Sequence, residues 1–163
     1  MPFFQKRKNA AMDSLTLKVV GLNHTITISV RPTATVADLK AKIESQTLLP
    51  TQYQRLISRG KKLEDDTVVL GEGGAGIQTR TKIMLLHNEF YATDKKGIDA
   101  IAVLTDEIKV LEEKIAAESL EQKVVDELIT RVCCKLDCVD TNGSERLRAM
   151  RKEAIRKAES LAQ

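Results

Sequence analysis

The chain has 163 residues, 42% of them hydrophobic and 30% charged, with a net charge of +3; that is apolar material for one mid-sized or two small domains, and too mild a charge to imply a polyanion partner. Aromatics make up 3% and there is no Trp, which argues against a base-stacking platform or an aromatic-lined ligand pocket and leaves aliphatic cores. No stretch approaches the roughly 18 consecutive apolar residues of a membrane span, so no membrane partner is expected and the cytoplasm, with the nucleus as a second site, is the expected compartment, where the three cysteines stay reduced.

Residues 1–13, opening "MPFFQKRKNAAM", carry basic residues without the apolar run of a signal peptide. A disordered basic tail is expected there, with the Phe3-Phe4 pair incidental. "LTLKVV" then alternates with Leu15, Leu17 and Val19 on one face, "TITISV" does so with Ile26, Ile28 and Val30, and "GLNH" lies between them. That pattern predicts a β-hairpin. Thr33 or Thr35 can cap a helix "VADLKAKIESQT" whose Val36, Leu39 and Ile43 recur at helical spacing until Pro50 stops it. Two more strands are predicted at "QRLIS" and "KIMLL", the latter with Ile83 and Leu85 inward. A sheet folded over one helix is a small β-grasp.

Within this half, "TITISVRPTATVADLKAKIESQTLLPTQYQRLISRGKKLEDD" resembles ubiquitin, and the resemblance spans residues 15 to 87. It implies a ubiquitin-like domain over 14–88 with a shallow apolar binding patch of Leu22, Ile57 and Leu86, rimmed by Arg55, Gly60 and Lys61. Such a patch implies a proteasome subunit or ubiquitin receptor as partner. The last strand runs through "IMLLHNEFYATDKK" into more protein instead of ending in an exposed Gly-Gly, so a conjugated tag is not expected. "GEGGAG" at 71–76 is followed by a strand, not a helix, which argues against phosphate binding and predicts a flexible surface loop.

Beyond residue 90 there is no Pro, and apolar residues recur every three or four positions. Ile98, Ile101, Leu104, Ile108, Leu111 and Ile115 form one stripe of a first helix. Ser119 with Gln122 reads as a capping box opening a second, with stripe Val125, Leu128, Val132 and Leu136 and with Val124 and Ile129 beside it. Asn142-Gly143 predicts a turn. A third helix from Ser144 to Leu161 is expected to bury Leu147, Met150, Ala154, Ala158 and Leu161. Short links between three amphipathic helices predict an antiparallel three-helix bundle. The fold class is therefore α+β: a ubiquitin-like β-grasp domain followed by that bundle over 94–163.

"VCCKLDC" invites a metal reading, but His24 and His87 lie in the other half and three thiols fall short of a tetrahedral set. No oriented base accompanies the thiols either. The cysteines read as small packing residues, with no metal, cofactor or catalytic residue expected.

The charges of the last two helices, in "DELITRVCCKLDCVD" and "ERLRAMRKEAIRKAESL", resemble the BAG domain (Bcl-associated athanogene), and this resemblance covers 94–163. It implies a chaperone-binding set of Glu127, Asp137, Arg151 with Lys152, and Glu159, acting on the ATPase domain of heat shock protein 70 type chaperones. Ten residues along a helix rotate to within about 80° of the start and rise about 15 Å, so Glu127 and Asp137 fit one side. The order of the two halves is that of ubiquitin-like BAG co-chaperones, which implies a monomeric nucleotide exchange factor and no enzyme. An adaptor or scaffold whose bundle binds other proteins or itself is the alternative. A nucleic-acid reading of Arg146, Arg148, Arg151, Lys152, Arg156 and Lys157 is interrupted by Glu145, Glu153 and Glu159.

Overall fold

Leu22 and Asn23, both at positive φ (50° and 64°), make the two-residue turn that matches the twist of a hairpin. They join β1 (Leu15–Gly21) to β2 (His24–Val30) in antiparallel register from Leu15↔Val30 to Gly21↔His24. The structure is a computed structural model and describes residues 14–162; the expected disordered tail over 1–13 lies outside the described residues.

Thr35 caps α1 (Val36–Thr47) through a full capping box: its hydroxyl accepts from the Asp38 N–H while the Asp38 carboxylate accepts from the Thr35 N–H. The choice between Thr33 and Thr35 is thus settled by the acid three residues on. α1 ends two residues short of Leu49, with Leu48 in the left-handed region at φ 62°. A short 3-10 turn (Thr51–Tyr53) leads to β3 (Gln54–Ser58), followed by β4 (Lys61–Lys62) and β5 (Lys82–His87). Sheet order is β2-β1-β5-β3-β4, with β1 and β5 parallel and the other pairs antiparallel. β4 was not legible in the sequence, since two lysines show no alternation.

One face of this sheet packs on α1. Leu17, Val19, Ile28, Leu56, Ile83 and Leu85 come from the strands and Val36, Leu39 and Ile43 from the helix, each no more than 3% exposed. Full burial of such a side chain contributes about 1.5–3 kcal/mol, so the alternation in the sequence fixes the facing.

The 71–76 segment is a surface loop as expected, with Glu72, Gly73, Gly74 and Gly76 exposed, but its backbone is tied back by hydrogen bonds that the sequence did not foretell. Gly71 N–H donates to Pro32 O, Ala75 N–H to Val69 O and Ile77 N–H to Leu70 O at 2.7–2.9 Å. A Cβ on Gly74 would stand 1.9 Å from the Val69 carbonyl oxygen. The glycine is there for backbone contact.

The first compact unit ends at Glu89 and the second begins at Phe90. In the second, α2 (Tyr91–Ala116), α3 (Gln122–Asp137) and α4 (Glu145–Ser160) each pack on the other two. The short links 117–121 and 138–144 make successive helices antiparallel. The bundle core is Ile98, Ile101, Leu104, Ile108 and Leu111 from α2, Val125, Ile129, Val132 and Leu136 from α3, and Leu147, Ala154 and Ala158 from α4. Ile129 takes the place expected of Leu128, and Met150 and Leu161 are only half-buried. Ser119 does not cap α3: its hydroxyl donates back to Lys114 O, and the N-cap is Glu121. Asn142 and Gly143 turn at positive φ as expected, and Ser144 caps α4 by accepting from Leu147 N–H. The Ser144 hydroxyl also donates to the buried Asp94 carboxylate at 2.7 Å, fastening the start of α4 to α2.

Candidate interaction surfaces

The side chains of α4 sort by their neighbours. Arg146 stacks 3.4 Å above the Phe90 ring and Lys157 reaches Glu112 of α2, which marks one flank. At about 100° per residue, Arg151, Lys152 and Glu159 fall on the other, toward α3. Arg151 is half-buried and its Nη1 donates to Val139 O at 3.0 Å. That bond uses one of its five donors and holds the guanidinium against the segment two residues past Asp137. Lys152 and Glu159 are exposed.

On α3, Lys135 pairs with Glu107 of α2 at 2.6 Å and so marks the flank away from α4. Asp137 lies on the α4 side. Cys133 reports the same arrangement: its thiol is pushed up by burial, then by the carboxylates of Glu159 and Asp137. Two residues expected from the sequence, one on each helix, thus place their charge at one seam. Glu127 turns further outward; it is exposed and bonds Arg131 one turn on at 2.9 Å. Such an exposed pair is worth about 0.3–0.5 kcal/mol and is easily exchanged for a partner's cation. Asp126, which sequence reasoning passed over, stands about 20° around the helix from Asp137, nearer its line than Glu127. The signal was available as an eleven-residue helical near-repeat.

The cysteines do not share one role. Cys133 is half-buried against Leu111, Val125 and Ile129 and packs as expected, whereas Cys134 and Cys138 are exposed. Among the described residues no group of three or more His, Cys, Asp or Glu is placed to hold a metal ion.

In the first unit, the sheet face away from α1 carries the other set. Cross-strand register pairs Arg55 with Leu86 and Ile57 with Met84, and sets Val20 beside Met84 on the parallel neighbour. Ile57 and Leu86 are half-buried and Met84 is 47% exposed. Leu22 sits in the hairpin turn just past Gly21, whose hypothetical Cβ would stand 2.0 Å from Leu85 O; that approach carries Leu22 to the Leu86 end of β5. Gly60 turns at φ 77° and Lys61 follows it, paired in register with Ser58. Arg55 bonds the Glu89 carboxylate. Met84 and Val20 were missed, although strand alternation with Leu86 points Met84 outward. Among the described residues no helix is long and apolar enough to cross a membrane.

Two family models match the chain: the ubiquitin family over residues 15–88 and the BAG domain over residues 97–163. Among solved structures, the chain is similar to a ubiquitin-like domain of an Arabidopsis thaliana protein, at 27% identity over 53% of this chain and 92% of that one, TM-score 0.45. It is similar to ATBAG1 in complex with HSP70 at 16% identity over 91% and 93%, TM-score 0.42. It is also similar to the ubiquitin of Caldiarchaeum subterraneum at 27% identity over 46% and 94%, TM-score 0.41.

Proposed function

We propose, from the premise that this chain is a ubiquitin-like BAG-family protein, that it is a co-chaperone which binds the ATPase domain of heat shock protein 70 type chaperones and promotes ADP release. It acts by binding, without catalysis or cofactor, as a monomer in the cytoplasm and nucleus. The observation that supports this best is the charged seam inside the stretch matched as a BAG domain: Asp137 and Glu159 flank one line, Lys152 is exposed beside it, and Arg151 is held in place by Val139 O. A guanidinium already fastened loses little freedom when a partner's carboxylate meets its remaining donors.

The mechanism follows from differential affinity. If the seam, with Glu127 above it, fits the open nucleotide cleft better than the closed one, binding shifts the chaperone toward the open form and ADP leaves. Truncating one partner of a desolvated charge pair costs about 2–5 kcal/mol, or roughly 30-fold or more in affinity. Titration calorimetry against an isolated ATPase domain tests it: Asp137→Ala and Arg151→Ala each weaken binding by that factor, and wild-type affinity in both removes the proposal.

The ubiquitin-like half supplies the second contact, with Leu22, Ile57 and Leu86 as the apolar centre and Arg55, Gly60 and Lys61 at the rim, for a proteasome subunit or ubiquitin receptor. Clients held by the chaperone are thereby brought to degradation. The alternative, an adaptor whose bundle self-associates, draws on Val103 and Val110, which lie about 20° apart around α2 and are 66% and 49% exposed. Sedimentation decides it: a mass that rises with concentration favours the adaptor.

A further inference from the structure

The sheet face that carries Ile57 and Met84 is basic at its far end, away from Leu22 and Leu86. Lys18 and Lys82 stand side by side on the parallel strands β1 and β5. Arg59 and Arg80 both lie at positive φ, in the turns that follow β3 and precede β5. With Lys82, these two arginines rim a shallow depression whose floor includes Ile57 and Met84, and no carboxylate lines it.

Among the described residues, Lys18, Arg59, Arg80 and Lys82 have no carboxylate within ion-pair distance, whereas Lys40 and Arg55 of the same unit do. Like charges on neighbouring strands repel, so this cluster weakens the fold that displays it. The cations are exposed and hold nothing together. A cost to folding without a structural return is the signature of a surface kept for a partner of opposite charge.

We propose that this basic end docks an acidic segment of a partner protein, with an apolar side chain of that segment seated on Met84 and Ile57 between the cations. The mixed lining selects this occupant over a phosphate-rich one. A nucleic acid or inositol phosphate needs only cations and leaves the apolar floor wet, while an acidic segment with one aliphatic anchor satisfies both. The surface is distinct from the chaperone seam, and it shares Ile57 and the rim residue Gly60 with the receptor patch.

The test is fluorescence anisotropy of the full chain with a labelled glutamate-rich peptide carrying one central leucine, run beside the same peptide with serine in that place and beside inositol hexakisphosphate as competitor. Binding is expected to weaken as salt shortens the Debye length. It is expected to fall about tenfold in Lys18→Gln/Lys82→Gln, to fall likewise for the serine peptide, and to be unchanged in Lys109→Gln, which removes an exposed cation of α2. The double variant should melt no lower than the parent, because it relieves repulsion, so lost binding is not lost folding. Unchanged affinity in Lys18→Gln/Lys82→Gln, equal binding of the serine peptide, or inositol hexakisphosphate bound more tightly than the leucine peptide would each overturn the proposal.

Discussion

Replacing Gly97 by alanine tests how closely α2 and α4 approach. A Cβ at position 97 would stand 2.5 Å from Cδ1 and 3.0 Å from Cδ2 of Leu147, and Leu147 is 1% exposed, so it has little room to yield. Two terms of opposite sign compete. Alanine gains about 0.8–1.0 kcal/mol over glycine in a helix interior, and an extra methyl forced into a filled core costs about 1–3 kcal/mol. The packing term wins, for a net loss of up to about 2 kcal/mol. Urea unfolding followed by the helical circular dichroism signal should therefore show a lower midpoint for Gly97→Ala. Leu147→Ala alone should lose about 2–5 kcal/mol, and less of that in the Gly97→Ala background, where the cavity takes up the new methyl. A raised midpoint for Gly97→Ala, with additive losses in the double variant, would refute the close approach.

Further outcomes follow from single positions. Leu48 is 74% exposed and left-handed at φ 62°, so Leu48→Gly should stabilise the sheet unit by up to about 1 kcal/mol; a lower melting temperature would count against it. Thr35→Ala removes the capping-box acceptor and should cost about 1 kcal/mol, read by the same melt, and no change would deny the cap its role. Burial and two carboxylates raise the Cys133 thiol, so iodoacetamide should label Cys134 and Cys138 first, with the gap narrowing as pH rises; Cys133 reacting first would contradict the seam. Because the folded thiol lies above its unfolded value, its contribution to stability is full below the unfolded value and is lost as pH rises through the folded one.

Strand and helix facing were legible because alternation and 3.6-residue periodicity are local: Leu17 and Val19, or Ile98 to Leu111, are buried where their spacing puts them. What depends on a third element was not. Leu128 and Ile129 fit the α3 stripe about equally, and only the directions of α2 and α4 favour Ile129. Ser119 has the spacing of a cap, yet its hydroxyl finds the nearer Lys114 carbonyl. Gly74 reads as slack until Val69 is seen against it. Of the proposed chaperone seam, the charges could be named from their resemblance; the bond from Arg151 to Val139 O, which spans the α3–α4 link, could not.

The most direct measurement is a stopped-flow record of labelled ADP leaving a heat shock protein 70 type chaperone, with and without this chain. Release is expected to accelerate with the parent protein and to return to the unassisted rate with Asp137→Ala or Arg151→Ala, whose circular dichroism stays that of the parent. An unassisted rate with the parent protein, or full acceleration by both variants, would contradict it.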